Sequence, residues 1–308
     1  MRLIKINHED VDPESGVTHN SNFHSEEEAK HLTIPTEGPT SFGHWLPLIA
    51  ASQAIPSNLI QTITLTASQG RLLIAASQSS LHTREPNRML EEELTSDIGP
   101  ALKTLVFPPE GLFLRLDACS PKDGVDGRKP LRDLQQILLR LTTSHRAMNA
   151  IIRLLDMDTP ITLYFLPFNI EMNTALEYRV FCPPSSAEVA AISQYKWHTQ
   201  SIFHDRSDDE IVQIAKTVME EVRRIHANIM GCPLEERVAK LLRSQGFTFD
   251  VMFREKTQSC ALIELNTFGS RSGCGSCLFH WLRDEDVLYG RRPKNENGKV
   301  EVEFRISV

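Results

Sequence analysis

The segment 261–269, Ala-Leu-Ile-Glu-Leu-Asn-Thr-Phe-Gly, limits what this chain can fold into more than any other. Its first three residues are apolar and predict a short strand. Because side chains alternate along a strand, Glu264 and Asn266 share one face and Leu265 points to the other. A carboxylate and an amide side by side suit a hard cation such as Mg²⁺, which takes one or two carboxylates in protein sites.

A second carboxylate lies in another predicted strand. Asp250 belongs to the segment 249–253, Phe-Asp-Val-Met-Phe, whose apolar residues predict this strand. If the two strands are neighbours, Asp250 reaches the same ion as Glu264 and Asn266. On spacing alone, the preferred interpretation is two ordinary strands whose polar residues face water.

Composition excludes several classes of protein. The chain has 308 residues and a net charge of −7, which argues against a general nucleic-acid binder, since such proteins carry a basic face. No apolar run approaches the length of a membrane span, and the N-terminal residues become polar too soon for a signal peptide. The six cysteines do not indicate a disulfide scaffold, and Cys274 and Cys277 lack the second ligand pair of a zinc site. We therefore expect a cytoplasmic protein without a nucleic-acid or membrane partner.

The chain is predicted to have three parts. Residues 1–40 are polar and irregular, and we expect a mobile leader that becomes ordered only by docking on the rest of the chain. Residues 41–168 are predicted to form an N-terminal lobe and residues 169–308 a C-terminal lobe. Histidines recur in the leader at spacings that fit no metal-binding pattern, at His8, His19, His24 and His31.

The N-terminal lobe carries candidate phosphate-binding groups. The segment 111–117 predicts a strand with leucines on one face and Arg115 on the other. The loop after it contains Ser120, Lys122 and Gly124, and a small-residue loop with a lysine can clamp a phosphate. The alternative for this loop is a solvent-exposed turn, because turns of this composition are common.

Two further segments complete this lobe. Residues 78–95 are polar and contain a proline, so we expect a loop, with a helical turn at 89–94 as the alternative for its last part. The segment 160–168 is apolar and aromatic and predicts a strand with the character of an ATP-grasp hinge. Backbone groups near Leu166 would bind the adenine edge there, and a core strand is a compatible alternative.

The C-terminal lobe is predicted to begin with a hairpin. Glu177 and Arg179 share one face of its first strand, where they either form an ion pair or contact ribose and phosphate. The returning strand, 187–192, delivers Gln194 at its end. Farther on, a capping box formed by Ser207 and Glu210 predicts the start of a long helix, and alternation over 300–308 predicts a final strand.

These separated segments can be drawn into one site. Arg115 and Lys122 supply cations for phosphates, the hinge supplies an apolar adenine slot, and Asp250 and Glu264 supply acids for Mg²⁺. The predicted fold is therefore α+β and ATP-grasp-like, with two lobes and the nucleotide between them. The last metal strand of that fold typically has the pattern E-x-N, which the segment 264–266 matches.

In the order of these motifs, the chain resembles the cell division cycle protein 123 family. That family is an ATP-grasp branch that helps to assemble eukaryotic translation initiation factor 2 through its gamma subunit. The resemblance runs from about residue 42 to residue 281. It rests on the loop 114–124, the Glu-Tyr-Arg-Val-Phe strand, Phe-Asp-Val at 249–251 and Glu-Leu-Asn-Thr-Phe-Gly at 264–269.

The resemblance implies ATP and Mg²⁺ as cofactors and assigns roles to single residues. The metal ligands would be Asp250, Glu264 and Asn266. The nucleotide-binding residues would be Arg115, Ser120, Lys122, Gly124, Leu166, Glu177, Arg179 and Gln194. The chain departs from the family where Arg115 replaces a lysine, Glu264 replaces an aspartate, and Tyr195 replaces an arginine.

Three functions remain open at this stage. The motif order favours an ATP·Mg²⁺-binding assembly chaperone whose partner is the gamma subunit of initiation factor 2. Glu264, which ATP-grasp ligases also use, favours an ATP-dependent carboxylate–amine ligase that works through an acyl phosphate. The third possibility is a scaffold that no longer binds nucleotide.

Overall fold

The computed structural model describes residues 1–14, 16–292 and 301–308. The fold is mixed α+β, as predicted, and divides into two units. One unit comprises Met1–Ala54 with Met172–Val308, and the other comprises Ile55–Glu171. Among the helices of the described residues, none is both long and apolar enough to cross a bilayer.

The strands are β1 Arg2–Ile6, β2 Gln61–Leu65, β3 Leu112–Leu116, β4 Ile161–Pro167, β5 Glu177–Cys182, β6 Ala191–Gln194, β7 Phe247–Arg254, β8 Ser259–Thr267 and β9 Glu303–Ser307. The helices are α1 Phe42–Gln53, α2 Ala67–Thr83, α3 Glu91–Asp97, α4 Gly99–Leu102, α5 Leu134–Thr142, α6 His145–Asp156, α7 Asp208–Met230, α8 Glu236–Gln245 and α9 Glu285–Leu288. The predicted final strand is present as β9, while its predicted first residue, Val300, lies outside the described residues.

The larger unit is built on one mixed sheet. Within the described residues its strand order is β1-β9-β6-β5-β7-β8. The hairpin pair β5/β6 and the pairs β5/β7 and β7/β8 are antiparallel, whereas β9 runs parallel to both β1 and β6. Helix α7 contacts β8. It begins with the predicted capping box, in which the backbone N–H of Ser207 donates to the Glu210 carboxylate at 2.9 Å.

Helix α1 protects the edge of this sheet at β8. The Leu262 backbone N–H donates to the Ser52 hydroxyl at 2.7 Å, and the Gln53 amide donates to the Leu262 carbonyl at 2.8 Å. An edge strand otherwise leaves such groups without protein partners. Helix α1 therefore belongs to the unit that contains β8, not to the smaller unit, and the predicted N-terminal lobe of 41–168 begins too early.

The predicted mobile leader is docked on the larger unit. Strand β1 lies parallel to β9, with Ile4 opposite Arg305. The polarity of residues 8–40 suggested a detached segment, but Leu3, Ile4 and Ile6 give β1 apolar side chains to pack. Strand β1 pairs with β9, which lies almost a whole chain length away in sequence, and local sequence patterns do not indicate such a pairing.

The smaller unit contains an antiparallel sheet in the order β2-β4-β3, with α2 packed against α5 and α6. The strands predicted at 111–117 and 160–168 are confirmed as β3 and β4. The loop predicted at 78–95 is wrong for its first residues, because α2 continues to Thr83, and α3, which begins at Glu91, overlaps the helical turn considered at 89–94. Small polar residues are tolerated inside α2, where the Ser77 hydroxyl donates to the Leu73 carbonyl at 2.8 Å.

Candidate functional site

A buried ion pair on adjacent strands lies at the centre of the candidate site. Arg179 on β5 is opposite Asp250 on β7. The guanidinium donates from Nε to Oδ1 of Asp250 at 2.8 Å and from Nη2 to Oδ2 at 2.7 Å. Both side chains are buried. This two-point geometry fixes the planes of both groups, because a guanidinium and a carboxylate have matching forks.

Asp250 also meets the predicted metal strand. It lies opposite Glu264 on β8, so the two acids are cross-strand neighbours. The Asn266 amide nitrogen donates to Asp250 Oδ2 at 3.2 Å and to Glu264 Oε1 at 3.4 Å. A bulge follows at Asp250/Val251, and bulges re-aim side chains within a sheet. The structure therefore brings the three predicted metal ligands together.

The electrostatics of this group depend on burial. Burial raises the pKa of the Asp250 carboxyl; Arg179 opposes this rise, and Glu264 adds to it. Burial acts to lower the pKa of the Arg179 guanidinium, but the Asp250 carboxylate reverses the effect and the net pKa is raised. Asp250 therefore has the Arg179 guanidinium on one side and the Glu264 carboxylate on the other, and two neighbouring carboxylates favour a bound cation or a shared proton.

The oxygen donors fit a hard cation. The Asn266 amide nitrogen now lies between two carboxylates, and a half-turn of the amide would place its oxygen there instead. Across the described residues, no three His, Cys, Asp or Glu side chains are arranged to hold a metal ion; the predicted set has two such residues and an amide. Mg²⁺ takes its remaining positions from water and phosphate oxygens, so such a set is sufficient.

Arg179 has two further partners, a backbone carbonyl of a loop and an aromatic ring. Its Nη1 donates to the Gly275 carbonyl at 2.7 Å, within the loop 269–281. The Tyr195 ring centroid is 5.0 Å from the guanidinium carbon, within range of a cation–π contact. These two partners were not predicted. A tyrosine where the related family carries arginine was the one available signal for Tyr195, and no local pattern identified Gly275.

The C-x-x-C pair lies in the same loop. Cys274 is buried, and its thiol is 3.2 Å from the Thr248 hydroxyl. Burial raises the pKa of Cys274 and raises the pKa of Cys277 to about 12, so both thiols stay protonated at neutral pH. They pack in the loop as neutral groups.

The other predicted hairpin residues lie on opposite faces. Glu177 is two residues before Arg179 on β5, and it shares the face of Arg179 and is buried. Gln194 lies opposite Tyr178, on the other face. The structure therefore does not bring Gln194 to Arg179. Its side-chain amide instead bonds the backbones of Lys196 at 2.9 Å, Thr199 at 2.8 Å and Ser307 at 3.2 Å.

In the smaller unit, Arg115 and Leu166 share a sheet face. Arg115 on β3 lies opposite Tyr164 on β4, and Leu166 lies opposite Phe113. Arg115 and Leu166 are both buried. The Tyr164 hydroxyl lies 3.1 Å from a carboxylate oxygen of Asp117, the residue that follows β3. A cation and an apolar side chain are thus fixed on neighbouring strands.

The candidate phosphate loop is attached to α5 and α6. Arg146 Nε donates to the Ser120 carbonyl at 3.1 Å. Gly124 is buried, and a Cβ at this position would lie 2.5 Å from the Arg140 carbonyl oxygen. Only glycine permits so close an approach to α5. Lys122 is exposed on the same loop, so the loop is a fixed turn that carries an exposed lysine.

The candidate residues are thus placed in two groups. The larger unit brings together Glu177, Arg179, Asp250, Glu264 and Asn266 on one face of its sheet. The smaller unit holds Arg115 and Leu166 on one face of β3/β4, with the loop 118–130 directly after β3.

Comparisons of the sequence and of the structure relate this chain to known proteins. The sequence model of the family D123 matches residues 157–307. The structure is similar to that of Cdc123 from Schizosaccharomyces pombe, with 18% identity and a TM-score of 0.59, over 90% of this chain and 100% of that one. A C-terminally truncated Cdc123 from the same organism gives 17% identity and a TM-score of 0.58, again over 90% and 100%. A search of curated proteins finds no significant match.

The family model covers the hairpin, the Arg179–Asp250 pair and the E-x-N strand, and the structural similarity extends to most of the remaining chain. The resemblance inferred from the motifs is thereby confirmed: residues 157–307 match the D123 family, the family of Cdc123.

Proposed function

We propose that this protein binds ATP together with Mg²⁺ and serves as an assembly chaperone for eukaryotic translation initiation factor 2, acting on its gamma subunit. The observation that carries the nucleotide part is the convergence of Asp250, Glu264 and Asn266 beside Arg179. The chaperone part rests on the resemblance to the cell division cycle protein 123 family and on the match to the D123 family.

In this proposal Asp250, Glu264 and Asn266 hold the ion. Mg²⁺, when bound, supplies positive charge to the phosphate oxygens of the nucleotide. Arg179 keeps the Asp250 carboxylate in a fixed plane through its two-point pair. A guanidinium has five N–H donors, and its described contacts with Asp250 and Gly275 use three of them. Arg179 therefore orients the ligand set and retains donors for a phosphate oxygen.

The phosphate and adenine contacts are proposed to come from the smaller unit. Lys122 is an exposed ammonium on a rigid turn and suits a phosphate as a point charge. Arg115 offers a buried guanidinium, and Leu166 gives an apolar surface on the adjoining strand.

Thermal unfolding with and without ATP·Mg²⁺ tests the nucleotide part. Bound ligand stabilises only the folded state, so we expect Tm to rise with ligand concentration. Asn266→Ala and Glu264→Gln should abolish the rise while leaving the apo protein folded. Gln213→Ala, an exposed amide on α7, is the matched control and should keep it. An unchanged Tm of the parent protein at millimolar ATP·Mg²⁺ would contradict the proposal.

A binding assay with the isolated gamma subunit of initiation factor 2 tests the chaperone part. We expect retention of the gamma subunit by the parent protein, stronger with ATP·Mg²⁺ than without nucleotide. ADP release that depends on an added amine or amino acid, without retention of the gamma subunit, would instead indicate a ligase.

A further inference from the structure

The N-terminal segment 16–24 is joined to the loop 270–281 by main-chain hydrogen bonds, and we call these two segments together the histidine clasp. The bonds come from backbone N–H groups of the N-terminal segment. They run from Phe23 to Ser272 at 2.9 Å, from His24 to Ser270 at 2.8 Å, and from Asn20 to Cys277 at 2.7 Å and Phe279 at 2.8 Å. Side chains add to them, since the Trp281 N–H donates to the Ser21 hydroxyl at 2.8 Å.

The two segments lie in close contact. A Cβ on Gly273 would lie 2.6 Å from the Phe23 ring, so the backbone of the loop directly touches that ring. Asn20 and Phe23 both adopt positive φ angles, of 50° and 47°. Non-glycine residues rarely take this conformation without compensating contacts, and the clasp supplies them.

Two histidines face each other across the clasp. The ring centroids of His24 and His280 are 5.3 Å apart. The His24 side chain is 9% exposed, and its buried Nε2 has no hydrogen-bond partner among the described residues. Nδ1 of His280 accepts from the backbone N–H groups of Leu282 and Arg283, both at 3.3 Å. A proton on Nδ1 of His280 would therefore displace two backbone donors and lie in a buried position beside a second imidazole.

The surrounding charges make protonation costly. Arg283 acts on His280 as well as on His19, and Arg305 also acts on His19. Asp284 is the nearby acid, but its carboxylate is already engaged by Arg305 at 2.6 and 3.0 Å. On the N-terminal segment, an oxygen of Glu28 is 3.5 Å from Nδ1 of His24 and is largely exposed, so its attraction is screened.

The pKa shifts agree with this geometry. Burial lowers the pKa of His280, and His24 and Arg283 lower it further. Burial also lowers the pKa of His19, with Arg305 as the next cause. A histidine with a depressed folded-state pKa contributes its full stability above the unfolded value of 6.5 and loses it as the pH falls below that value.

We propose that the histidine clasp is a pH-sensitive latch, closed while His280 is neutral and opened when its ring takes up a proton beside His24. Opening separates segment 16–24 from loop 270–281. The loop then loses support at the position where the Gly275 carbonyl accepts from Arg179. Mild acid therefore weakens the hydrogen bond between Arg179 and the Gly275 carbonyl. The two hydrogen bonds between Arg179 and Asp250, which lie within the sheet, remain.

Hydrogen–deuterium exchange of the full chain tests the latch, at about pH 7.5 and about pH 5.5, on either side of the ordinary histidine pKa. Rates are corrected for the intrinsic pH dependence of exchange. We expect peptides that cover 19–25 and 270–282 to lose protection about ten-fold or more at the lower pH, while peptides of α7 keep theirs. Equal protection of the clasp at both values would overturn the proposal.

A ring substitution isolates the charge. His280→Phe keeps an aromatic ring against His24 and cannot take up a proton. We expect its clasp to keep protection at about pH 5.5. His82→Phe, an exposed histidine of α2, is the control and should behave like the parent. If His280→Phe loses protection as the parent does, the latch is not driven by His280. NMR titration of the parent, showing His280 with an ordinary or raised pKa, would also overturn it.

Discussion

Arg179 and Asp250 lie on neighbouring strands and are joined at two points, with Nε 2.8 Å from Oδ1 and Nη2 2.7 Å from Oδ2. Both are buried, so neither charge is solvated by bulk water. The energetic value of such a pair lies less in its attraction than in the cost of leaving one partner alone. The geometry of Arg179 and Asp250 is therefore tested by removing one charge and then both.

Asp250→Asn should strongly destabilise the protein. It leaves the Arg179 guanidinium buried without a counter-charge, and breaking buried pairs in this way costs about 3–5 kcal/mol. Urea denaturation measures the free energy of unfolding. The double variant Arg179→Met, Asp250→Leu should recover much of the loss, since it removes both charges. Equal stability of the single variant and the parent would show that the pair is not desolvated.

Glu264→Gln should change how stability depends on pH. The folded-state pKa of Asp250 is raised, so the folded protein holds this proton more tightly than the unfolded chain. Its contribution to the free energy of unfolding is therefore largest at low pH and is lost as the pH rises above 3.8. Glu264 adds to the rise, so its neutral replacement should make this loss smaller.

Urea titrations at several values between about pH 4 and about pH 7 measure this effect. The exposed Glu92→Gln is the control and should keep the slope of the parent. The same slope in Glu264→Gln as in the parent would show that Glu264 does not act on Asp250.

Gly124→Ala should destabilise the smaller unit. The added methyl group would lie 2.5 Å from the Arg140 carbonyl oxygen, so the loop must move away from α5. Overpacking of this kind typically costs about 1–3 kcal/mol. Gly38→Ala is the matched control, because no atom lies within 4 Å of its Cβ position. A thermal unfolding experiment should show a lower Tm for Gly124→Ala alone.

Ser52→Ala should weaken the edge of the larger sheet. The Leu262 N–H loses its acceptor at 2.7 Å, and an unsatisfied buried donor costs about 1–3 kcal/mol. Hydrogen exchange at Leu262 reports the change directly, and we expect faster exchange there than in β7. Ser79→Ala, on the exposed side of α2, should leave exchange in β8 unchanged. Unaltered exchange at Leu262 would mean that α1 does not protect this edge.

The alternation of side chains along strands and the rules for helix capping account for much of what was predicted correctly. Glu264 and Asn266 share a face because strand side chains alternate, and Asp250 meets them because its strand pairs with theirs. The helix after Ser207 follows from a local capping box. These features depend on residues close in sequence or on one strand pairing, so a single sequence reports them well.

The rest depends on contacts between distant residues. Ser52 meets Leu262 across 210 positions, and no local pattern around either residue indicates it. The Gly275 carbonyl reaches Arg179 through a backbone group, and every residue has such a group, so its identity gives no signal. Gln194 is opposite Tyr178 in the hairpin, and because side chains alternate along a strand it lies on the face opposite Arg179.

The larger sheet depends at both edges on the first part of the chain. Strand β1 closes one edge by pairing with β9, and α1 protects the other at β8. During synthesis both segments leave the ribosome long before the strands they cover, and they must wait for β7, β8 and β9. Pairings of such wide separation fold slowly, and a sheet with two bare edges invites association with other chains. Loss of residues 1–54 would therefore convert this unit from a folding domain into an aggregating one, although every candidate metal ligand would still be present.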